Sequence, residues 1–150
     1  MMEFIDEKDR KILEILKENS NLSTHKISKK TLIPVTTVNN RIRKLQKEGV
    51  IKKYTIQVDE KKLGINLMAY IFVQVSLKEL KQSKLRISDL VKEIRKSPLV
   101  DSAENVAGDI DLVVKVHACD IDELKNYVLT NLSDMKGVEK TTTSIILEHR

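Results

Sequence analysis

Residues 34 to 49, PVTTVNNRIRKLQKEG, constrain the fold of this chain more than any other stretch. Val38, Ile42 and Leu45 recur at i, i+4 and i+7, so at about 100° per residue they form one narrow apolar stripe. A helix built this way must pack on other helices through that stripe alone. Thr36, Asn40, Arg43 and Lys47 then lie roughly opposite it, with Thr37, Asn39 and Lys44 on its flanks. Such a face is either the solvated side of an ordinary surface helix or a surface that meets a partner. Its chemistry suits a nucleic-acid groove: Asn bonds bidentately to adenine, Arg to guanine, Thr offers a methyl to thymine, and Lys neutralises phosphate.

The distribution of charge favours the second reading. The net charge is +5, and residues 1 to 59 carry all of it, with 13 Lys/Arg against 8 Asp/Glu; residues 60 to 150 hold 14 of each. Between Ser20 and Lys53 nine basic residues (Lys26, Lys29, Lys30, Arg41, Arg43, Lys44, Lys47, Lys52, Lys53) face the single acid Glu48. That is the electrostatic footprint of a polyanion partner. An anionic membrane would call for bulky apolar or aromatic residues beside the cations, and here the short helices spend theirs on one another. No apolar run approaches the roughly 18 residues of a membrane span, and the start MMEFIDEKDR is acidic and mixed rather than a signal peptide, so a cytoplasmic protein is expected. Cys119 has no cysteine to pair with, and His25, His117 and His149 lie too far apart in the sequence for zinc-ligand spacing. No metal or cofactor is expected.

In chain order, Asp6 to Asn19 reads as a first helix with acids in its first turn. Ser23 caps a second from Thr24 to about Thr31, and Leu32 and Ile33 make a tight connection. Pro34 opens the third, which Gly49 closes. Second and third helices so close together read as a helix-turn-helix. From Val50 to Val58 the period becomes two, which predicts a strand. Lys52 and Lys53 would lie on it, either beside a phosphate backbone or on a solvated edge. DEKKLG at 59 to 64 marks a hinge. A strand is predicted over Leu67 to Leu77, with Ala69, Ile71, Val73, Val75 and Leu77 on one face. Its other face carries Met68, Tyr70 and Phe72, apolar enough to need a cover, most simply a second copy of the chain. A helix with Ile87, Leu90, Val91 and Ile94 inward follows, ended by Pro98. Strands come next at Val100 to Val106 and Asp111 to Val116, then a helix capped by Asp120 or Asp122 with Leu124, Tyr127, Val128 and Leu132 inward. A last strand spans Val138 to Leu147. The class is α+β: a winged-helix-like helix-turn-helix domain at 1–50, a strand and hinge at 51–64, and a ferredoxin-like βαββαβ domain at 65–150.

The stretches IDEKDRKILEILKEN, TTVNNRIRKLQKEGVIKKY, KKLG, GDID at 108 to 111 and GVEKTTTSIIL together resemble the Lrp/AsnC family of bacterial and archaeal transcription regulators over nearly the whole chain. The resemblance implies an N-terminal domain that binds promoter DNA and a C-terminal domain that forms a homodimer, with further assembly to tetramers or octamers. It also implies an amino-acid or related small-molecule effector. By position, Thr36, Thr37, Asn39, Asn40 and Arg43 match the base-facing part of the family's recognition helix, and Arg41 and Ile42 match its Arg-Ile pair. Arg41 lies about 60° from the apolar stripe on the 100° helical wheel, so it either pairs with an acid of the first helix such as Asp6 or contacts phosphate. Gly108, Asp109 and Asp111 match the family's Gly-x-x-Asp turn, where an acid could meet an α-ammonium group, and Thr143 matches a Thr of the last strand. Asp109 as a solvated turn residue and Thr143 as a sheet-packing residue are the competing readings. Two features depart from the family. Leu32, Ile33 and Pro34 stand where it usually has Gly followed by Leu-Ser, which removes both an easy φ > 0 residue and a Ser N-cap. Ile110 stands where an aromatic residue is common.

Two other functions share this architecture or charge. A tetrapyrrole-binding decarboxylase would need His and Arg in the C-terminal part, which offers His117, His149, Arg86, Arg95 and Arg150. An architectural DNA binder without sequence preference would keep the basic helix alone. No catalytic triad or paired-carboxylate arrangement stands out, and the expectation is a regulator and not an enzyme.

Overall fold

The computed structural model describes residues 5 to 147, and the chain falls into two compact units, Met1–Val58 and Asp59–Arg150.

In the first unit α1 (Glu7–Glu18) starts on a reciprocal cap: the Asp6 carboxylate accepts from the Asp9 N–H at 2.9 Å, and the Asp9 carboxylate accepts from the Asp6 N–H at 3.1 Å. Ser23 Oγ accepts from the Lys26 N–H to start α2 (Thr24–Thr31), and α3 spans Val35–Lys47. One core holds the three helices together, built from Ile12, Leu16, Ile27, Ile33 and Val38, with Ile15, Leu22, Ile42 and Ile51 packed against it. Gly49, at φ 71°, turns the chain out of α3, and the Ile51 N–H returns to the Leu45 carbonyl at 3.0 Å.

The connection between α2 and α3 closes without a glycine because Leu32 itself takes the left-handed conformation, at φ 58°. Neighbouring hydroxyls fix the turn. Ser28 Oγ donates to the Ile33 carbonyl at 2.6 Å, and Thr31 Oγ1 donates to the Ile27 carbonyl at 2.8 Å. Pro34 starts α3 with no side-chain cap.

The strand expected from Val50 to Val58 does not form: this segment carries no ladder, and Tyr54, Ile56 and Val58 are exposed. β-branched residues supply propensity, but a strand exists only where a neighbour takes its N–H and C=O groups. Here the segment is tied to its unit by Ser20 Oγ donating to the Thr55 carbonyl and by Ile51 in the core.

The second unit opens with a 3₁₀ turn (Glu60–Leu63) and continues as β1 (Leu67–Val75), α4 (Leu77–Gln82), α5 (Ile87–Ile94), β2 (Val100–Asn105), β3 (Leu112–Ala118), α6 (Ile121–Asn126) and β4 (Val138–Ile145). The sheet order is β2-β3-β1-β4 with every neighbour antiparallel, the ferredoxin-like arrangement. Ala69, Ile71, Val73 and Val75 of β1, with Leu112, Val114 and Val116 of β3, bury one sheet face against Leu90, Val91, Ile94, Leu124, Tyr127 and Leu132. On the other face Met68 is buried, Phe72 is half-buried and Tyr70 is exposed.

Three details differ from expectation. β1 stops at Val75 because Ser76 Oγ accepts from the Glu79 N–H and nucleates α4, a short helix the sequence pattern did not single out. Leu77 therefore leaves the inner face and is exposed. The helix capped by Asp120 passes into a π-helical segment, Tyr127–Leu132, which turns both Tyr127 and Leu132 into the core. β4 ends at Ile145.

Gly137, just ahead of β4, sits at φ 92°, and a Cβ placed there would clash with Leu80 Cδ2. Gly137→Ala combines left-handed strain with overpacking, so it is expected to cost about 2 kcal/mol, read as a lowered urea midpoint of the sheet unit. An unchanged midpoint would show both that Leu80 moves aside freely and that the left-handed backbone at this position costs alanine nothing.

Candidate functional site

α3 presents the residues its sequence predicts. Thr36, Asn39, Asn40, Arg43, Lys44 and Lys47 are exposed, while Val38 and Leu45 on the opposite side are buried. Thr37 and Arg41 are half-buried at the margin between the two. Asp6, Thr37, Asn40, Arg41 and Lys44 line a shallow depression along this margin. Lys52 and Lys53 are exposed on the extended segment that follows.

Arg41 takes the structural alternative: Nη1 lies 2.6 Å from Asp6 Oδ2 and 2.9 Å from Asp9 Oδ1. Asp9 is 1% exposed, so Arg41 is the counter-ion of a buried carboxylate and clamps α3 to the start of α1. The Asp9 N–H and then Arg41 hold the Asp6 carboxyl below its usual value, and the bonds to Asp6 and Asp9 push the guanidinium up. The role of Asp9 was not singled out from sequence. Its signal was the Asp6-x-x-Asp9 spacing of a capping box, which brings a second acid to the same helix end.

In the second unit the β2–β3 turn carries the GDID residues. Gly108 takes φ 143°, Gly108 and Asp109 are exposed, and the Asp109 carbonyl accepts from Gln74 Nε2 at 3.2 Å. Asp111 is built into the sheet: Oδ2 accepts from the Val75 N–H at 2.7 Å, and its own N–H donates to the Val73 carbonyl at 3.0 Å. One carboxylate oxygen of Asp111 thus takes up the last N–H of β1. Thr143 is exposed on β4 and pairs with Ile71, so it lies on the other side of β1 from the GDID turn. Two strand spacings, about 10 Å, separate them laterally, and one chain does not bring them into a single pocket.

His117 Nδ1 lies 2.8 Å from Asp101 Oδ1, and Lys115 Nζ lies 3.3 Å from Asp101 Oδ2. His149 and Arg150 lie outside the described residues. Among the described residues no three His, Cys, Asp or Glu side chains converge as a metal site would require, and no helix is long and apolar enough to cross a membrane.

Comparison with known proteins fits this geometry. Residues 5–52 match the family described as winged helix-turn-helix DNA-binding, and residues 70–150 match the Lrp/AsnC ligand binding domain. An uncharacterized HTH-type transcriptional regulator of Pyrococcus horikoshii is 36% identical over 97% of this chain and 94% of its own length. The HTH-type transcriptional regulator FL11 of Pyrococcus furiosus is 33% identical over 99% of this chain and 93% of its own. Among solved structures, an AsnC-family transcriptional regulatory protein of Pyrococcus furiosus superposes with a TM-score of 0.78 at 28% identity, covering 97% of this chain and 92% of that one. A Neisseria meningitidis transcriptional regulator in complex with L-Met shares the fold at a TM-score of 0.87 and 24% identity, covering 96% of this chain and 90% of that one. With both domains matched, the chain is a DNA-binding transcription regulator that also carries a ligand-binding domain, and it belongs to the Lrp/AsnC family.

Proposed function

We propose that this regulator binds as a homodimer to an inverted repeat in promoter DNA, placing one α3 in the major groove of each half-site, and that its sheet domain senses an amino acid or a related small molecule. The carrying observation is the two-sided character of α3, with Val38 and Leu45 buried and Thr36, Asn39, Asn40 and Arg43 exposed. Two helix-turn-helix units related by a two-fold axis meet DNA with matching symmetry, so the half-sites fall about 34 Å, or a multiple of it, apart. The open face of the sheet, with Tyr70 exposed beside Phe72, supports pairing of two copies. For the effector, the exposed Asp109 supplies a carboxylate suited to an α-ammonium group, and the Neisseria relative in fold holds L-Met. Of the groups a tetrapyrrole pocket would need, His117 is engaged by Asp101. The basic residues remain concentrated on and around α3, which favours a regulator over an enzyme.

The test is to select an operator from random DNA with the wild-type protein, then measure Asn40→Ala and Arg43→Ala against every base at each position. Each variant is expected to lose about 1–3 kcal/mol of discrimination at one base pair. Equal weakening on operator and random DNA would make both residues backbone contacts and leave the architectural, sequence-blind reading standing.

A further inference from the structure

We propose that Leu32, in the turn that leads into α3, is a specificity residue whose side chain packs on a thymine methyl at the edge of the groove. Leu32 combines two properties that oppose each other in a residue serving the fold alone. Its φ of 58° is a conformation in which a γ-branched side chain is strained, and Gly or Asn would adopt it more easily. Yet the side chain is 90% exposed, so no packing inside its unit offsets the strain. The turn does not depend on the Leu side chain. Ser28 and Thr31 hold the backbone on either side through hydroxyl bonds, and the buried Ile33 anchors it to the core.

Strain that neighbouring structure imposes and the fold does not use points to function. Leu32 stands two residues ahead of the exposed Pro34, which opens α3, and four ahead of the exposed Thr36 on the helix's polar face. In a helix-turn-helix the N-terminal end of the recognition helix approaches the base edges. At that end Leu32 is a large apolar side chain left 90% exposed, and the apolar feature a major groove presents is the thymine C5-methyl.

The inference rests on α3 entering the groove, and its test separates the two. With the operator selected by the wild-type protein, each thymine is replaced in turn by deoxyuridine, which deletes the methyl and leaves the hydrogen-bonding edge intact. Wild-type affinity is expected to fall about fourfold at one thymine per half-site, the effect of burying one methyl. Leu32→Gly and Leu32→Asn are expected to bind the thymine and uracil operators equally, to keep the wild-type salt dependence, and to melt no lower than wild type. If wild type selects an operator but the variants remain as sensitive to uracil as wild type is, or if they melt lower, Leu32 serves the fold or another partner and the proposal falls. If wild type selects no operator at all, it is the groove-binding reading of α3 that fails first.

Discussion

Replacing Arg41 with Ala is expected to destabilise the N-terminal unit by about 3 kcal/mol. Asp9 is 1% exposed and lies 2.9 Å from Arg41, so truncation strands a carboxylate where water hardly reaches it. Removing one partner of a buried pair costs about 3–5 kcal/mol. The Arg41 side chain keeps 24% of its surface in water, which places the loss at the low end of that range. A double variant, Asp9→Asn with Arg41→Ala, should recover part of the loss because the stranded charge is gone. Native-state hydrogen exchange of the α1 and α3 amides reads this unit separately from the sheet domain. A loss below about 1 kcal/mol would class the pair with ordinary surface salt bridges. The same cluster sets a pH limit. Asp6 titrates below its ordinary 3.8 in the folded state, so its contribution is complete above that value and is lost as the pH falls through the lowered one.

Arg41 also shows how far the sequence carries. On the helical wheel it fell between the apolar stripe and the polar face, which leaves both an ion pair and a phosphate contact open. Only the fold brings α1 against α3, and the deciding partner, Asp9, reads locally as one more acid in a first turn. The helix boundaries were legible because Ser23, Gly49 and Asp120 act within a few residues of where they stand. So were the sheet strands: in β1 the predicted inner residues Ala69, Ile71, Val73 and Val75 are the buried ones, although Met68 on the other face is buried as well and Leu77 falls beyond the strand. Elements that depend on a partner elsewhere were not legible. The Val50–Val58 segment has strand composition but no neighbour to complete it, and the π-helical turn at Tyr127 follows from packing rather than from any residue signature. The candidate effector residues divide in the same way. GDID marked a turn correctly, while the Val75 N–H donating to Asp111 Oδ2 ties one of its two acids to the end of β1. Asp109 is left as the exposed carboxylate of that turn.

Because the entire basic excess lies in the DNA-binding part, operator affinity is expected to fall about a thousandfold or more between about 50 and 200 mM salt. Lys26, Lys29, Lys30, Arg43, Lys44, Lys47, Lys52 and Lys53 are all exposed, whereas Arg41 is bound to Asp6 and Asp9 and should not count toward the slope. If three to five of the exposed cations on each subunit of the proposed dimer meet phosphate, the dimer makes about 6–10 contacts, the number for which a loss of that size is expected. Lys47→Ala should then flatten the slope of log affinity against log salt by about 1 per subunit, or about 2 for the dimer, on operator and random DNA alike. Asn40→Ala should change discrimination and leave the slope as it is. Fluorescence anisotropy titrations at four or five salt concentrations separate the two effects. A slope no steeper than about −2 for the proposed wild-type dimer would mean that the basic residues around α3 do not track the phosphate backbone, and the electrostatic footprint would have to belong to a different partner.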